Sequence, residues 1–176
     1  MLQGTYVALV TPFKDGSIDW TALEGLIQFH IDNGTTGILL LGTTAETAGL
    51  ASDEKDALLR FAMQKIGGRL PVMIGTGSNN LHQTLAATAK AKELGADYAL
   101  VITPYYIKPT QAGMLEYFGT IATKVDIPIV IYNVPGRTGV NMTAATAVKL
   151  AHEHQNIVGI KEASGNIVQA TQIIRD

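Results

Sequence analysis

Short, β-branched apolar runs alternate with longer stretches of helical period along the chain, and this alternation restricts the fold more than any other feature. The runs are Tyr6 to Val10, Gly37 to Leu41, Val72 to Gly75, Tyr98 to Thr103, Ile129 to Tyr132 and Ile157 to Lys161. Between the first two, Leu23, Leu26, Ile27, His30 and Ile31 fall on one face of a helix that Gly34 stops. Ser52, with Asp53 and Glu54, reads as the N-cap and acidic first turn of a helix ending at Gly67-Gly68, and Leu81 to Leu94 forms another closed by Gly95. Further helices are expected from about Gln111 to Lys124, Thr143 to His154, and Asn166 onward. Near-continuous apolar strands joined by helices imply a parallel sheet covered on both faces, which leaves a doubly wound sheet or a β/α barrel. Six units in 176 residues give about 29 residues per unit, so eight would need about 235, close to the ~250 of a barrel. No linker or composition shift divides residues 1–176, which read as one domain.

Composition narrows the partners. At 16% charged residues the chain lies below the ~25% of an average soluble domain, so much of its surface is expected to be covered. No apolar run approaches the ~20 residues of a membrane span. A formal net charge of −2 without a basic stripe offers no footprint for nucleic acid or an anionic membrane, leaving a small molecule or a second copy of the chain. Cysteine is absent, which removes thiolate nucleophiles and cysteine-based metal sites. Met1 to Thr5 shows no charged segment followed by an apolar stretch, so the expected location is cytoplasmic.

Both candidate architectures bind ligands at the carboxyl ends of their strands. Several readings fail there. Gly75-Thr76-Gly77-Ser78-Asn79-Asn80 has Asn where a dinucleotide fingerprint needs its third glycine, and no Gly-Lys-Ser/Thr follows any glycine loop. His152 and His154 are two apart on a helix, pointing to different faces, so no metal site is expected. None of the four serines sits in a Gly-x-Ser-x-Gly elbow. Lys161 stands apart, because it closes the apolar run Ile157-Val158-Gly159-Ile160 while the other eight lysines lie in helices or loops. A lysine held among barrel side chains loses solvation of its ammonium form, which favours a free amine able to form a Schiff base with a ketone. A strand-end lysine whose charge snorkels to water is the alternative.

Tyr132, Tyr106 and Thr43 also end strands, and a hydroxyl chain among them is a candidate proton path, since each imine step delivers or removes a proton. Taken alone, each tyrosine reads as a core residue with a satisfied hydroxyl. Thr43 and Thr44 offer hydroxyl and backbone N–H donors to a carboxylate, or alternatively N-cap chemistry in a turn. Arg137, in Pro135-Gly136-Arg137-Thr138-Gly139, presents a fork for a second carboxylate or is a surface arginine.

Taken together, Gly42-Thr43-Thr44-Ala45-Glu46-Thr47, Thr103-Pro104-Tyr105-Tyr106 with Lys108-Pro109, Tyr132-Asn133-Val134-Pro135-Gly136-Arg137-Thr138-Gly139 and Gly159-Ile160-Lys161-Glu162-Ala163 closely resemble the dihydrodipicolinate synthase branch of the pyruvate-dependent class I aldolase and N-acetylneuraminate lyase family. The motifs keep the family's order over the whole chain. The resemblance implies a (β/α)8 TIM barrel of which the chain carries the first six βα units, without the last two units and the helical C-terminal domain. It implies that Lys161 forms an imine with pyruvate, and that the derived enamine attacks the aldehyde of L-aspartate 4-semialdehyde. The product would be 4-hydroxy-tetrahydrodipicolinate, on the route to diaminopimelate and lysine. No cofactor is implied beyond that covalent imine. Thr44 and Thr43 would hold the pyruvate carboxylate, with Thr43 also in a proton relay with Tyr132 and Tyr106. Tyr132 would be the general acid/base, Tyr106 would reach in from a neighbouring subunit, and Arg137 would bind the semialdehyde carboxylate. A homotetramer, as a dimer of dimers, is the implied assembly.

The chain departs from the pattern in places. Ala45 stands for the usual glycine, Thr47 for serine, and Ile107 for a polar residue. At the effector site of lysine-inhibited members, Asn79 and Tyr105 match, but Lys55 stands for histidine and Gln83 for glutamate, so weak lysine inhibition is expected by charge repulsion. The missing units would leave the first and sixth strands as open edges, and the simplest account is a truncated sequence. Two other readings stay open. One is a lyase of sialic or deoxy-sugar acids, against which Arg137 argues, and the other is an inactive module whose barrel cannot close.

Overall fold

The computed structural model describes residues 2–176, grouped in two compact units, one of residues 3–75 with 94–97 and one of residues 2, 76–93 and 98–176. No sequence feature marks that division.

The first unit contains β1 (Tyr6–Ala8), a hairpin of β2 (Phe13–Lys14) and β3 (Ser17–Ile18), α1 (Trp20–Asp32), β4 (Gly37–Leu40), α2 (Ser52–Ile66) and β5 (Val72–Gly75). Its parallel sheet runs β1-β4-β5, with Tyr6 opposite Gly37 and Ile38 opposite Val72. All four residues of β4 are buried, as a strand covered on both faces requires. Gly37 is demanded by packing, because a Cβ there would strike the Tyr6 ring. Asp19 caps α1 by accepting the Ala22 N–H at 2.9 Å. Ser52, expected as the cap of α2, is instead its first helical residue. The Glu54 carboxylate does the capping, accepting the Ala51 N–H at 2.8 Å. The hairpin was not expected, although Asp15-Gly16 carries its signal. Both residues have positive φ, 51° and 78°, as a tight two-residue connection requires.

The second unit contains α3 (Leu81–Glu93), β6 (Tyr98–Ile102), α4 (Gln111–Lys124), β7 (Ile129–Asn133), α5 (Pro135–Thr138), α6 (Ala144–Glu153), β8 (Ile157–Glu162) and α7 (Ile167–Arg175). The sheet order is β6-β7-β8, again parallel. Its core is built from fully buried Met114, Phe118 and Ile121 of α4 against Ile129 and Ile131 of β7. Burying each such side chain contributes roughly 1.5–3 kcal/mol. Phe118 also meets Tyr117 edge-to-face, with ring centroids 5.2 Å apart. The Tyr117 hydroxyl donates to the Ser78 carbonyl at 2.6 Å and lies 2.7 Å from Thr84 Oγ1. Burial pushes that phenol up to about 12, against the lowering effect of its Thr84 and Ser78 hydrogen bonds.

One irregularity positions the site. Ile129 pairs with Ile157, but Val130 pairs with Gly159, so β8 carries Val158 as an extra residue. Beyond this bulge Tyr132 stands opposite Lys161, and Asn133 opposite Glu162. Had the first pairing continued, Lys161 would face Asn133 from the other side of the sheet, because a one-residue slip exchanges the faces. Among the described residues no helix is long and apolar enough to cross a membrane.

Candidate active site

Lys161 and Tyr132 leave the same face of the second unit's sheet, one residue before the carboxyl ends of their strands. The Lys161 Nζ lies 4.4 Å from the centroid of the Tyr132 ring. Tyr132 is buried, at 7% exposure, and the ring face supplies the negative end of its quadrupole to the ammonium group. Lys161 itself is exposed in the described residues, where β8 pairs with β7. The structure thus joins an amine and a phenol at one strand end, a pair suited to carbonyl addition with an adjacent proton carrier.

Tyr106 follows β6 in a loop whose backbone is bent sharply. Its φ is +70° and that of Lys108 is +47°, a left-handed conformation costing about 1 kcal/mol or more in a residue with a side chain. The ring is 87% exposed, while the Tyr106 N–H donates to the Thr138 carbonyl at 3.3 Å. That bond ties the loop after β6 to the turn that carries Arg137. The turn is a short helix, α5, with Pro135 at its first position and Gly139 (φ 73°) ending it. Proline at the start and glycine just past the end are the local signals of such a helix. Thr138 anchors the turn from inside, its hydroxyl donating to the Val140 carbonyl at 2.9 Å. Arg137 projects from it and is exposed.

Thr43 and Thr44 belong to the first unit. They form, with Ala45, a single 3-10 turn at the carboxyl end of β4. The chain enters through Leu41 and leaves through Glu46, both at positive φ (52° and 54°). Two hydroxyls hold the bend: Thr47 donates to the Gly42 carbonyl at 3.0 Å and Thr11 to the Ala45 carbonyl at 2.8 Å. Both Thr43 and Thr44 are exposed.

Sequence reasoning missed a polar cluster on the opposite face of the second unit's sheet. The Glu162 carboxylate accepts from the Ser164 N–H at 2.7 Å, from Asn133 Nδ2 at 2.9 Å and from Gln169 Nε2 at 2.9 Å. Asn133 is fully buried and its Oδ1 accepts the Met142 N–H at 3.0 Å. Asn141 closes the ring, donating to Gln169 Oε1 at 2.8 Å and accepting from Asn133 at 2.8 Å. Burial works to raise the Glu162 carboxyl, but the bonds from Ser164, Asn133 and Gln169 outweigh it and hold it below the usual value. The available signal was a polar residue immediately after each of Tyr132 and Lys161. Among the described residues no three His, Cys, Asp or Glu cluster as a metal site would need.

Parallel βα units with a lysine and a tyrosine at adjacent strand ends define a (β/α)8-barrel protein, of which this chain carries the first six units. The chain belongs to the Dihydrodipicolinate synthetase family, whose model matches residues 1–176. It is 50% identical over 175 residues to the 4-hydroxy-tetrahydrodipicolinate synthase of Aquifex aeolicus (strain VF5), covering 99% of this chain and 60% of that protein. The crystal structure of dihydrodipicolinate synthase from the same organism superposes with a TM-score of 0.95 at 49% identity, over 99% of this chain and 59% of that one. A second structure, the chloride-inhibited dihydrodipicolinate synthase of Acinetobacter baumannii complexed with pyruvate, gives 0.96 at 44% identity, over 99% and 60% of the two chains. The chain thus spans about 60% of the length of the curated relatives it matches.

Proposed function

We propose that the protein to which this chain belongs condenses pyruvate with L-aspartate 4-semialdehyde, giving 4-hydroxy-tetrahydrodipicolinate for diaminopimelate and lysine synthesis. The observation that carries the reading is the Lys161 amine 4.4 Å from the Tyr132 ring centroid at paired strand ends. The Lys161 nitrogen adds to the ketone carbon of pyruvate, and loss of water leaves an imine. A proton then leaves the pyruvate methyl group, and the resulting enamine forms a carbon–carbon bond with the aldehyde, whose oxygen takes up a proton; the amino group of the semialdehyde then adds to the imine carbon and displaces the Lys161 amine, which closes the ring and frees the lysine. Tyr132 carries protons in these steps. No cofactor beyond the imine takes part. Pyruvate as substrate is supported by the Acinetobacter baumannii relative, which is complexed with it.

Thr43 and Thr44 keep the part that family resemblance gives them, as hydroxyl and amide donors to the pyruvate carboxylate. Arg137, exposed on its short helix, binds the carboxylate of the semialdehyde through its guanidinium fork. Tyr106 serves a neighbouring subunit, a role supported by the 87% exposure of a ring held on a strained backbone. The working assembly is a cytoplasmic homotetramer, a dimer of dimers.

Borohydride reduction of the full-length protein incubated with pyruvate, read by mass spectrometry, tests the chemistry. A stable adduct on Lys161 is expected, and folded protein without one defeats the reading. Turnover with the semialdehyde set against sialic and deoxy-sugar acids then tests the second substrate, because a lyase of sugar acids would share the adduct but prefer the latter.

A further inference from the structure

Lys161 and Glu162 are consecutive on β8, so their side chains leave opposite faces of the sheet. Whatever fixes Glu162 therefore fixes the register and tilt of Lys161. On the far face the Glu162 carboxylate is held by three donors from three places: the Ser164 backbone, Asn133 on β7 and Gln169 in the first turn of α7. Bonds to an ionised acceptor are about twice as strong as neutral ones. Neither amide is free to turn over. Asn133 Oδ1 is engaged by the Met142 N–H, which leaves its Nδ2 to face the carboxylate, and Gln169 Oε1 is engaged by Asn141 Nδ2. Gln169 is placed in turn by its own N–H, which donates to the Asn166 cap at 3.1 Å. The Ala163 N–H donates to the Asn133 carbonyl at 2.8 Å and completes the tie between the strands.

This arrangement matters because β8 has two possible registers. The bulge at Val158 selects the one with Lys161 opposite Tyr132, and a bulge leaves one residue out of the ladder, so the register needs a second anchor beyond it. A slip back to regular pairing would set Lys161 opposite Asn133, bring an ammonium group against amide donors, and strip Glu162 of its three partners. We propose that the Glu162–Asn133–Gln169 cluster is the positioning device of the reactive lysine, locking β8 in the bulged register that keeps Nζ on the Tyr132 face. The proposal rests on the imine chemistry of Lys161 proposed above. None of the three residues touches the reacting atoms. They act through Lys161.

The test uses the full-length protein and the rate at which pyruvate with borohydride labels Lys161. Glu162→Gln sets an amide NH2 against the Asn133 and Gln169 donors. It is expected to slow labelling about 10- to 100-fold, the scale of an ångström-level misplacement, with the half-saturating pyruvate concentration moved by less than about 3-fold. The double variant Glu162→Gln/Gln169→Glu returns a carboxylate opposite an amide and is expected to recover at least about 5-fold of that loss. Folded Glu162→Gln that labels within about 2-fold of the parent overturns the proposal, and so does a loss the exchange variant leaves untouched. Should Glu162→Gln fail to fold, Gln169→Leu decides, since it removes one donor and keeps the Glu162–Asn133 pair. A drop of about 3-fold or more supports the device, and an unchanged rate overturns it. A parent protein that never labels on Lys161 defeats the underlying reaction instead, which separates the two failures.

Discussion

Replacing Tyr132 by phenylalanine and by leucine separates what its hydroxyl does from what its ring does. The ring lies 4.4 Å from the Lys161 Nζ, a contact for which an ordinary cation–π attraction of about 0.5–1 kcal/mol is taken. That is worth about two- to fivefold in an equilibrium or rate. A general acid or base typically contributes ~10²–10⁴-fold. Tyr132→Phe keeps the ring and removes the proton carrier, so turnover is expected to fall by about 10²–10⁴-fold with the fold intact. Tyr132→Leu removes both, and should fall only about two- to fivefold further. It should also be less stable, because a 7% exposed aromatic leaves a partly unfilled space. Steady-state turnover of the full-length protein, with circular dichroism to verify folding, makes the measurement. Tyr132→Phe retaining turnover within about 3-fold of the parent would refute the assignment of proton transfer to this hydroxyl. A folded Tyr132→Leu more than about 100-fold slower than Tyr132→Phe would instead show that the ring contact had been underrated.

Three further outcomes can be checked. Phe118→Ala, which empties a fully buried site beside Tyr117, should cost about 3–5 kcal/mol in denaturant unfolding, and a loss under about 1 kcal/mol would show that the α4 packing is misjudged. Tyr117 is raised to about 12 by burial from an ordinary value of 10.0, so the protein favours the protonated phenol; its contribution is whole below pH 10, lost as pH rises through about 12, and worth on the order of 2–3 kcal/mol. The stability slope of the parent across that interval should flatten in Tyr117→Phe, and identical slopes would refute it. If the family resemblance of the sequence extends to the effector site, lysine inhibition should be weak, because Lys55 stands for histidine and Gln83 for glutamate there, and a micromolar inhibition constant on the full-length protein would overturn this.

Most strands and helices were legible because their signals are local. Gly37 to Leu40 is a short apolar run, and the α1 face recurs at helical spacing, features that burial enforces wherever the segment packs. The same locality explains which residues could be nominated. Lys161 was conspicuous as a charge closing an apolar strand, and Tyr132, Tyr106, Thr43, Thr44 and Arg137 as polar residues at strand ends. Ser52 misled as a cap because Glu54 three residues after Ala51 does the same work from inside the helix. The Asp15-Gly16 hairpin and the Pro135–Thr138 helix carry their signals in turn chemistry, outside the apolar periodicity by which the other elements are legible.

What no local signal could reveal is register. Whether Lys161 faces Tyr132 or the opposite side of the sheet depends on one extra residue, Val158, whose bulged position is set by pairing with a strand about thirty residues away. The point is carried by Asn133 and Glu162. By pattern they are polar residues just past two apolar strands, indistinguishable from loop residues. In the structure they are the pair that the bulge brings opposite one another, with Asn133 buried at 0% exposure and its amide oriented by the Met142 N–H. Burying such a group uncompensated costs ~1–3 kcal/mol, so its full complement of partners makes every other register of β8 the more expensive one. The polar face that sequence periodicity ignores is thus what makes the reactive face single-valued.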